Sequence, residues 1–253
     1  MIKLLKSEFL KTRGRFVLIT ALLITSAELV WALHGDYAGF MLRNGWMAFL
    51  YQLPLVNAIF MPLLSIIVAS RLCDIEHKGA MLKTLAVLCG KGRIYDAKLL
   101  YGLSIVLFCN VISWAVTIIG GYVIGFYGSV PIKLYLLYLL FTAVPTIVIY
   151  IFQHTLSLLF KNQAVTFFVG AIGTFGGLFA MFLPQLPWLR KSLIWGYYGV
   201  LQFVGLFGWT KDTKYSNAHF DVMGFDWIFF AVLIAAGVLM YIIGRYLFTR
   251  KDL

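Results

Sequence analysis

The sequence predicts an all-α protein, polytopic in a membrane, with six transmembrane helices. Three observations predict it. Of 253 residues, 62% are hydrophobic and the mean hydropathy is +0.90, whereas soluble domains are apolar over roughly half their length. Only 12% are charged, and the charges cluster between apolar runs long enough to cross a bilayer. Those runs are continuous, without the alternation of a barrel strand. Inside lipid each backbone N–H and C=O needs an internal partner, so continuous apolar runs must be helices. The net charge of +11 falls at the ends of the runs. There it orients the chain and meets anionic headgroups, and nucleic acid is not needed to explain it.

The whole chain, 1–253, reads as one embedded domain. In residues 1–14, Ile2, Leu5 and Phe9 recur at helical spacing, with Lys3, Ser7 and Lys11 on another side. This predicts a helix lying in the interface, its lysines reaching headgroups. No short apolar core with a small-residue cleavage site follows, so Phe16 onward is expected to be a retained span. Span one is Phe16 to Leu33, about 27 Å at the helical rise. Span two runs from Trp46 to about Ser70 and contains Pro54 and Pro62, which free carbonyls and favour a kink.

Residues 71–98 then form the longest charged segment between apolar blocks, and are expected to be a cytosolic loop. Its centre, Ala80–Leu88, has helical spacing, with Met81, Leu85 and Leu88 on one side. Span three is Leu99 to Tyr127, and span four about Leu134 to Phe160 with Pro145 inside. Lys161-Asn162-Gln163 is a short turn, and span five is Ala164 to Leu183.

Segment 184–225 admits two readings. Its apolar run Leu193–Trp209 either spans, giving seven helices, or is re-entrant or interfacial, giving six. Charge counting selects six. With both termini inside, fifteen of the 21 Lys/Arg lie on the inner side. A seventh span would send Arg250 and Lys251 outward, against the positive-inside rule. The last span is Trp227 to Phe248.

Few residues could carry chemistry. Gly90-Lys91 lacks the upstream glycine and following hydroxyl of a phosphate loop, and no metalloprotease or serine-hydrolase motif occurs. The chain is expected to be non-enzymatic and to carry no cofactor. Cys73, Cys89 and Cys109 are odd in number and lack metal spacing, so they read as unpaired. Glu28 in span one must face protein, water or a partner. It is either a contact for a cationic substrate or a hydrogen-bonded group near the outer interface. His154, beside Gln153, is either helix–helix glue or a substrate contact. Gly121-x-x-x-Gly125 and Gly173-x-x-x-Gly177 allow close helix approach. Trp188, Trp195, Tyr197, Tyr198 and Trp209 suit an outer aromatic belt, and could equally meet an amphiphile in the outer leaflet.

Taken together, these pieces resemble the permease subunits of type-2 ABC exporters. The shared features are an interfacial elbow helix, six spans and a cytosolic loop between spans two and three. That loop carries an acid followed by Gly (Glu76, Gly79), a short coupling helix (Ala80–Leu88), a basic residue (Arg93) and a Lys opening span three (Lys98). Re-entrant extracellular helices before the last span match 184–225. Many members have Pro after the coupling helix, where this chain has Cys89-Gly90. Length and aromatic content look most like the small permeases of lantibiotic-immunity and bacitracin-resistance transporters.

The resemblance implies a multi-pass subunit of the bacterial cytoplasmic membrane with both termini cytosolic. A separate ABC ATPase dimer would carry ATP and Mg, and a second permease, sister or self, would complete the pathway. It implies ATPase coupling through Glu76, Gly79, Met81, Leu82, Leu85 and Lys98. Met81, Leu82 and Leu85 would make the contact, and Glu76 would fix the loop by hydrogen bonds. The implied cargo is a lantibiotic-like peptide taken from the membrane, or another hydrophobic drug or lipid-linked substrate. Glu28, His154, Trp195 and Trp209 are the candidates along its path.

Overall fold

The computed structural model describes residues 1–78, 81–183, 185–211 and 215–252. The chain opens with α1 (Ile2–Arg13) and turns into α2 (Val17–Leu33) through a 72° bend. Phe16 sits at the corner with φ 54°, a left-handed conformation that costs a non-glycine residue about 1–2 kcal/mol. A short α3 (Phe40–Arg43) leads to α4 (Gly45–Lys78), and then come α5 (Leu82–Cys89), α6 (Lys91–Ile124), α7 (Ile132–Leu159) and α8 (Gln163–Met181). Next are α9 (Pro187–Ser192), a 3₁₀ turn (Ile194–Gly196), α10 (Tyr197–Val200), strands β1 (Val204–Phe207) and β2 (His219–Val222), and α11 (Trp227–Arg250).

Among the described residues, five helices (α4, α6, α7, α8 and α11) are long and apolar enough to cross a membrane alone. The sixth, α2, is 17 residues long and qualifies together with α1 across their bend. Helix α4 is the hub, packed on α2, α6, α7 and α8. It runs unbroken through Pro54 and Pro62. Apolar side chains fill the bundle in two clusters, one around Leu72, Tyr95 and Tyr150 and the other around Trp46, Tyr135 and Phe141. Helix α11 packs on α7 and α6 and leaves most of its apolar surface exposed, as a helix bathed in lipid does.

Two expectations change. Residues 71–98 are mostly not a loop: α4 continues to Lys78 and α6 already begins at Lys91. Each is 34 residues long, about 51 Å at the helical rise, against a hydrocarbon core of about 30 Å. Residues 71–78 of α4 and 91–98 of α6 form a two-helix stalk, helical because Leu72, Cys73, Glu76, Ile94, Tyr95 and Lys98 are all buried in it. The second change lies in 184–225, which is not helical throughout. Its β1 and β2 form an antiparallel ribbon, with Val204 paired to Val222 and Phe207 to His219.

Basic residues of α1, the start of α6 and the end of α11 lie at one end of the bundle. Lys91 Nζ donates to the Lys251 carbonyl at 2.7 Å, and Lys251 Nζ caps the last carbonyls of α7, Leu158 and Leu159, at 3.1 and 2.7 Å. From the opposite end, residues 194–200 dip back into the bundle. Tyr198 reaches Thr146, with 2.9 Å between hydroxyls, and the Trp195 ring lies 5.4 Å from that of Phe152.

Candidate functional site

The short helix α5 stands on the stalk at the basic end, and its sequence explains its limits. Gly90, with φ +80°, separates it from α6 in a conformation that side chains disfavour. The helix has apolar residues on more than one side. Leu82 is 7% exposed and belongs to the chain's own core. Leu85 and Ala86 are half-buried, while Met81, Val87 and Leu88 are 49%, 87% and 74% exposed. Leu82 is therefore corrected from an outward contact to an anchor. The outward apolar surface is Met81, Val87 and Leu88, with Lys83 and Thr84 beside it. Gly79, singled out with Glu76, lies outside the described residues.

At the root of the stalk, four charged side chains from three helices interlock. Lys98 Nζ, fully buried, donates to Glu8 Oε2 at 2.8 Å and to the Leu72 carbonyl at 3.2 Å, and pairs with Glu76 Oε1 at 3.2 Å. Lys11 Nζ donates to Glu76 Oε1 at 2.8 Å and to Glu8 Oε1 at 3.4 Å. The set is neutral and its charges alternate, which is the arrangement that lets ions be buried. Burial works against the Lys11 ammonium, but the hydrogen bond from Lys11 to Glu76 and the two nearby carboxylates raise its pKa above the ordinary lysine value. One turn on, Thr12 Oγ1 meets the Tyr101 hydroxyl at 2.7 Å. The network ties α1 to the end of α4 and the start of α6, the two helices that carry α5.

The family resemblance singles out Glu76 and Lys98, and the structure brings them together. It does not name their partners Glu8 and Lys11. The available signal was that Glu8 is the one acid among five basic residues before the first span. A lone acid on a basic helix asks for a cationic partner. The side-chain partners of Glu76 are Lys11 on α1 and Lys98 on α6, so it ties helices to one another. A further lock holds α11 to the stalk, where Arg245 Nε donates to Asp96 Oδ1 at 3.0 Å and the Tyr241 hydroxyl shares that oxygen at 3.0 Å. His77 Nε2 lies 2.9 Å from the Ser157 carbonyl on α7.

The four candidates for a substrate path each have their own surroundings. Glu28 is 1% exposed and accepts a hydrogen bond from Ser113 Oγ at 2.6 Å. His154 is fully buried, its Nε2 3.3 Å from the Tyr95 carbonyl, and stacks on the Tyr150 ring. Trp195 is 8% exposed, so it leaves the aromatic belt, as do the buried Tyr197 and Tyr198. Trp195 instead occupies the gap over Gly173 and Gly177. The small-residue spacing in α8 thus receives an indole and not another long helix. Gly121 likewise faces Trp46 and Phe126, and Gly125 ends α6 with φ +87°. Trp188 and Trp209 do remain exposed. The three cysteines are free, with Cys73 and Cys109 buried.

A search of curated proteins finds no match. A family model described as "ABC-2 family transporter protein" matches residues 4–177. That stretch runs from the elbow through α5 and the stalk to α8, and so contains the interlocked charges and the exposed knob they support. A short N-terminal helix bent 72° against α2, a stalk capped by a short apolar helix, and a family match over more than half its length together establish that the chain belongs to the ABC-2 family of transporter proteins.

Proposed function

We propose that this ABC-2 membrane component is the permease subunit of an exporter, and that α5 is where a separate ATPase dimer docks. The observation that carries the proposal is the exposed apolar set Met81, Val87 and Leu88 on a helix whose base is held by buried ion pairs. An exposed apolar knob in water needs a covering partner. A knob on a rigid stalk transmits displacement, because packed helices move as bodies. Closure of the ATPase around ATP and Mg, both on the partner, would push α5. The stalk would pass the movement to α4 and α6, and Glu8, Lys11, Glu76 and Lys98 would carry α1 with them.

A second permease, sister or self, completes the pathway in this reading. The membrane is the bacterial cytoplasmic membrane, with the basic end and both termini on the cytosolic side. The cargo is an amphiphilic, lantibiotic-like peptide expelled outward for self-protection. Trp209 and Trp188, exposed at the far end, are the aromatic surface that would meet it. Glu28 would contribute only if α2 and α6 separate.

The test is co-purification of an ATP-binding cassette subunit co-expressed with this chain from its source genome, with Leu88→Asp and Val87→Asp compared to wild type. Each variant should insert normally and lose the ATPase. If the ATPase still binds stoichiometrically to both, α5 is not the docking element.

A further inference from the structure

We propose that α7 and α11 form a binding groove for one anionic phospholipid of the basic-end leaflet, with Arg245 holding its phosphate. The inference depends on the membrane placement of the bundle and not on the transport reading. The groove has a volume of about 330 Å³ and is walled by Val144, Ile147, Ile151, Ile234, Val238 and Tyr241. Its floor exists because Gly237 has no side chain: a Cβ there would come within 2.8 Å of Val148 Cγ2.

A polar cluster closes one end. The Tyr241 hydroxyl, on the groove wall, bonds Asp96 Oδ1, and Arg245 Nε bonds the same oxygen at 3.0 Å. The Arg245 side chain stays 43% exposed while its NH2 nitrogen lies over Gly92. Lys91 and Arg93, flanking Gly92, add positive charge at the same end.

Dimensions and charge select the occupant. From Ile234 to Arg245 is about 16 Å along α11, close to half of the roughly 30 Å hydrocarbon core. An acyl chain lying in the groove therefore brings its phosphate level with Arg245. Nε bonds both Asp96 oxygens, at 3.0 and 3.2 Å, which fixes the orientation of the guanidinium and leaves its two terminal nitrogens as the paired donors that match phosphate oxygens.

The experiment is native mass spectrometry of the full chain extracted from vesicles of phosphatidylglycerol and phosphatidylcholine with identical acyl chains. Wild type should retain phosphatidylglycerol preferentially. Arg245→Gln should cut that preference about fivefold, the effect of one basic residue near a headgroup, and leave phosphatidylcholine retention unchanged. Val238→Trp, which fills the groove from an exposed position, should reduce both lipids. Asp96→Asn breaks the same ion pair but keeps the cation, so it should retain the preference. An unchanged preference in Arg245→Gln, or unchanged retention in Val238→Trp, overturns the site. So does loss in Asp96→Asn equal to that in Arg245→Gln, or displacement of the lipid by inorganic phosphate. A disulfide-linked dimer of Val238→Cys would give the groove to a second copy and also overturn it.

Discussion

Replacing Lys98 with Met tests whether the buried ion network holds the elbow to the stalk. Met fills similar space without charge. In wild type the Lys98 ammonium is fully buried, with acceptors on Glu8, Glu76 and Leu72 at 2.8, 3.2 and 3.2 Å. Its loss leaves two carboxylates, whose residues are 5% and 1% exposed, sharing Lys11 alone. Breaking a buried pair from one side costs about 3–5 kcal/mol, because the remaining charge is stranded. Lys11→Met should cost less, since that side chain is 23% exposed and water can take over part of its role. The double change Lys98→Met with Glu8→Gln restores one acid to one base, Glu76 to Lys11. It should recover about 1–3 kcal/mol of the single-variant loss, the coupling expected within one network. The assay is equilibrium unfolding of purified protein in mixed micelles, with proteolysis in the 1–16 segment as a local readout. If Lys98→Met costs under about 1 kcal/mol, or the double variant is no more stable than the single, the network is ornamental and the elbow is held by packing.

Further predictions follow from the interior and from the knob. Gly177→Val should destabilise by about 1–3 kcal/mol, since its Cβ would lie 2.6 Å from the Trp195 backbone; an unchanged unfolding midpoint would mean residues 194–200 do not seat there. Glu28→Gln keeps an oxygen to accept the Ser113 hydrogen bond, so stability should stay within about 1 kcal/mol of wild type. A drop in peptide resistance with assembly intact would then put Glu28 on the pathway, and unchanged resistance in a killing assay would leave it structural. Leu82→Asp should impair folding, whereas Leu88→Asp should leave insertion unchanged and act on ATPase binding, a split read by expression level against co-purification.

What the sequence by itself determined was where the chain is helical in lipid and which end is basic. Hydropathy accumulates along one helix, so Trp46–Ser70 or Trp227–Phe248 is visible without knowing any neighbour. Glu76 and Lys98 stood out only through the family resemblance, as the acid before the coupling helix and the Lys opening span three. Tertiary structure alone decided what pairs with them. Lys98 meets Glu8 across 90 positions, and Lys11 meets Glu76 across 65; such pairings depend on how helices pack, which no local pattern encodes. Packing likewise decided which side of α5 faces out. With Leu82, Leu85, Val87 and Leu88 distributed around it, periodicity could mark a helix but not its inner face, and contact with the core gave that role to Leu82. Trp195 went the same way: an indole suits a lipid interface, but the space over Gly173 and Gly177 buries more of its apolar surface, and only the folded bundle creates that space.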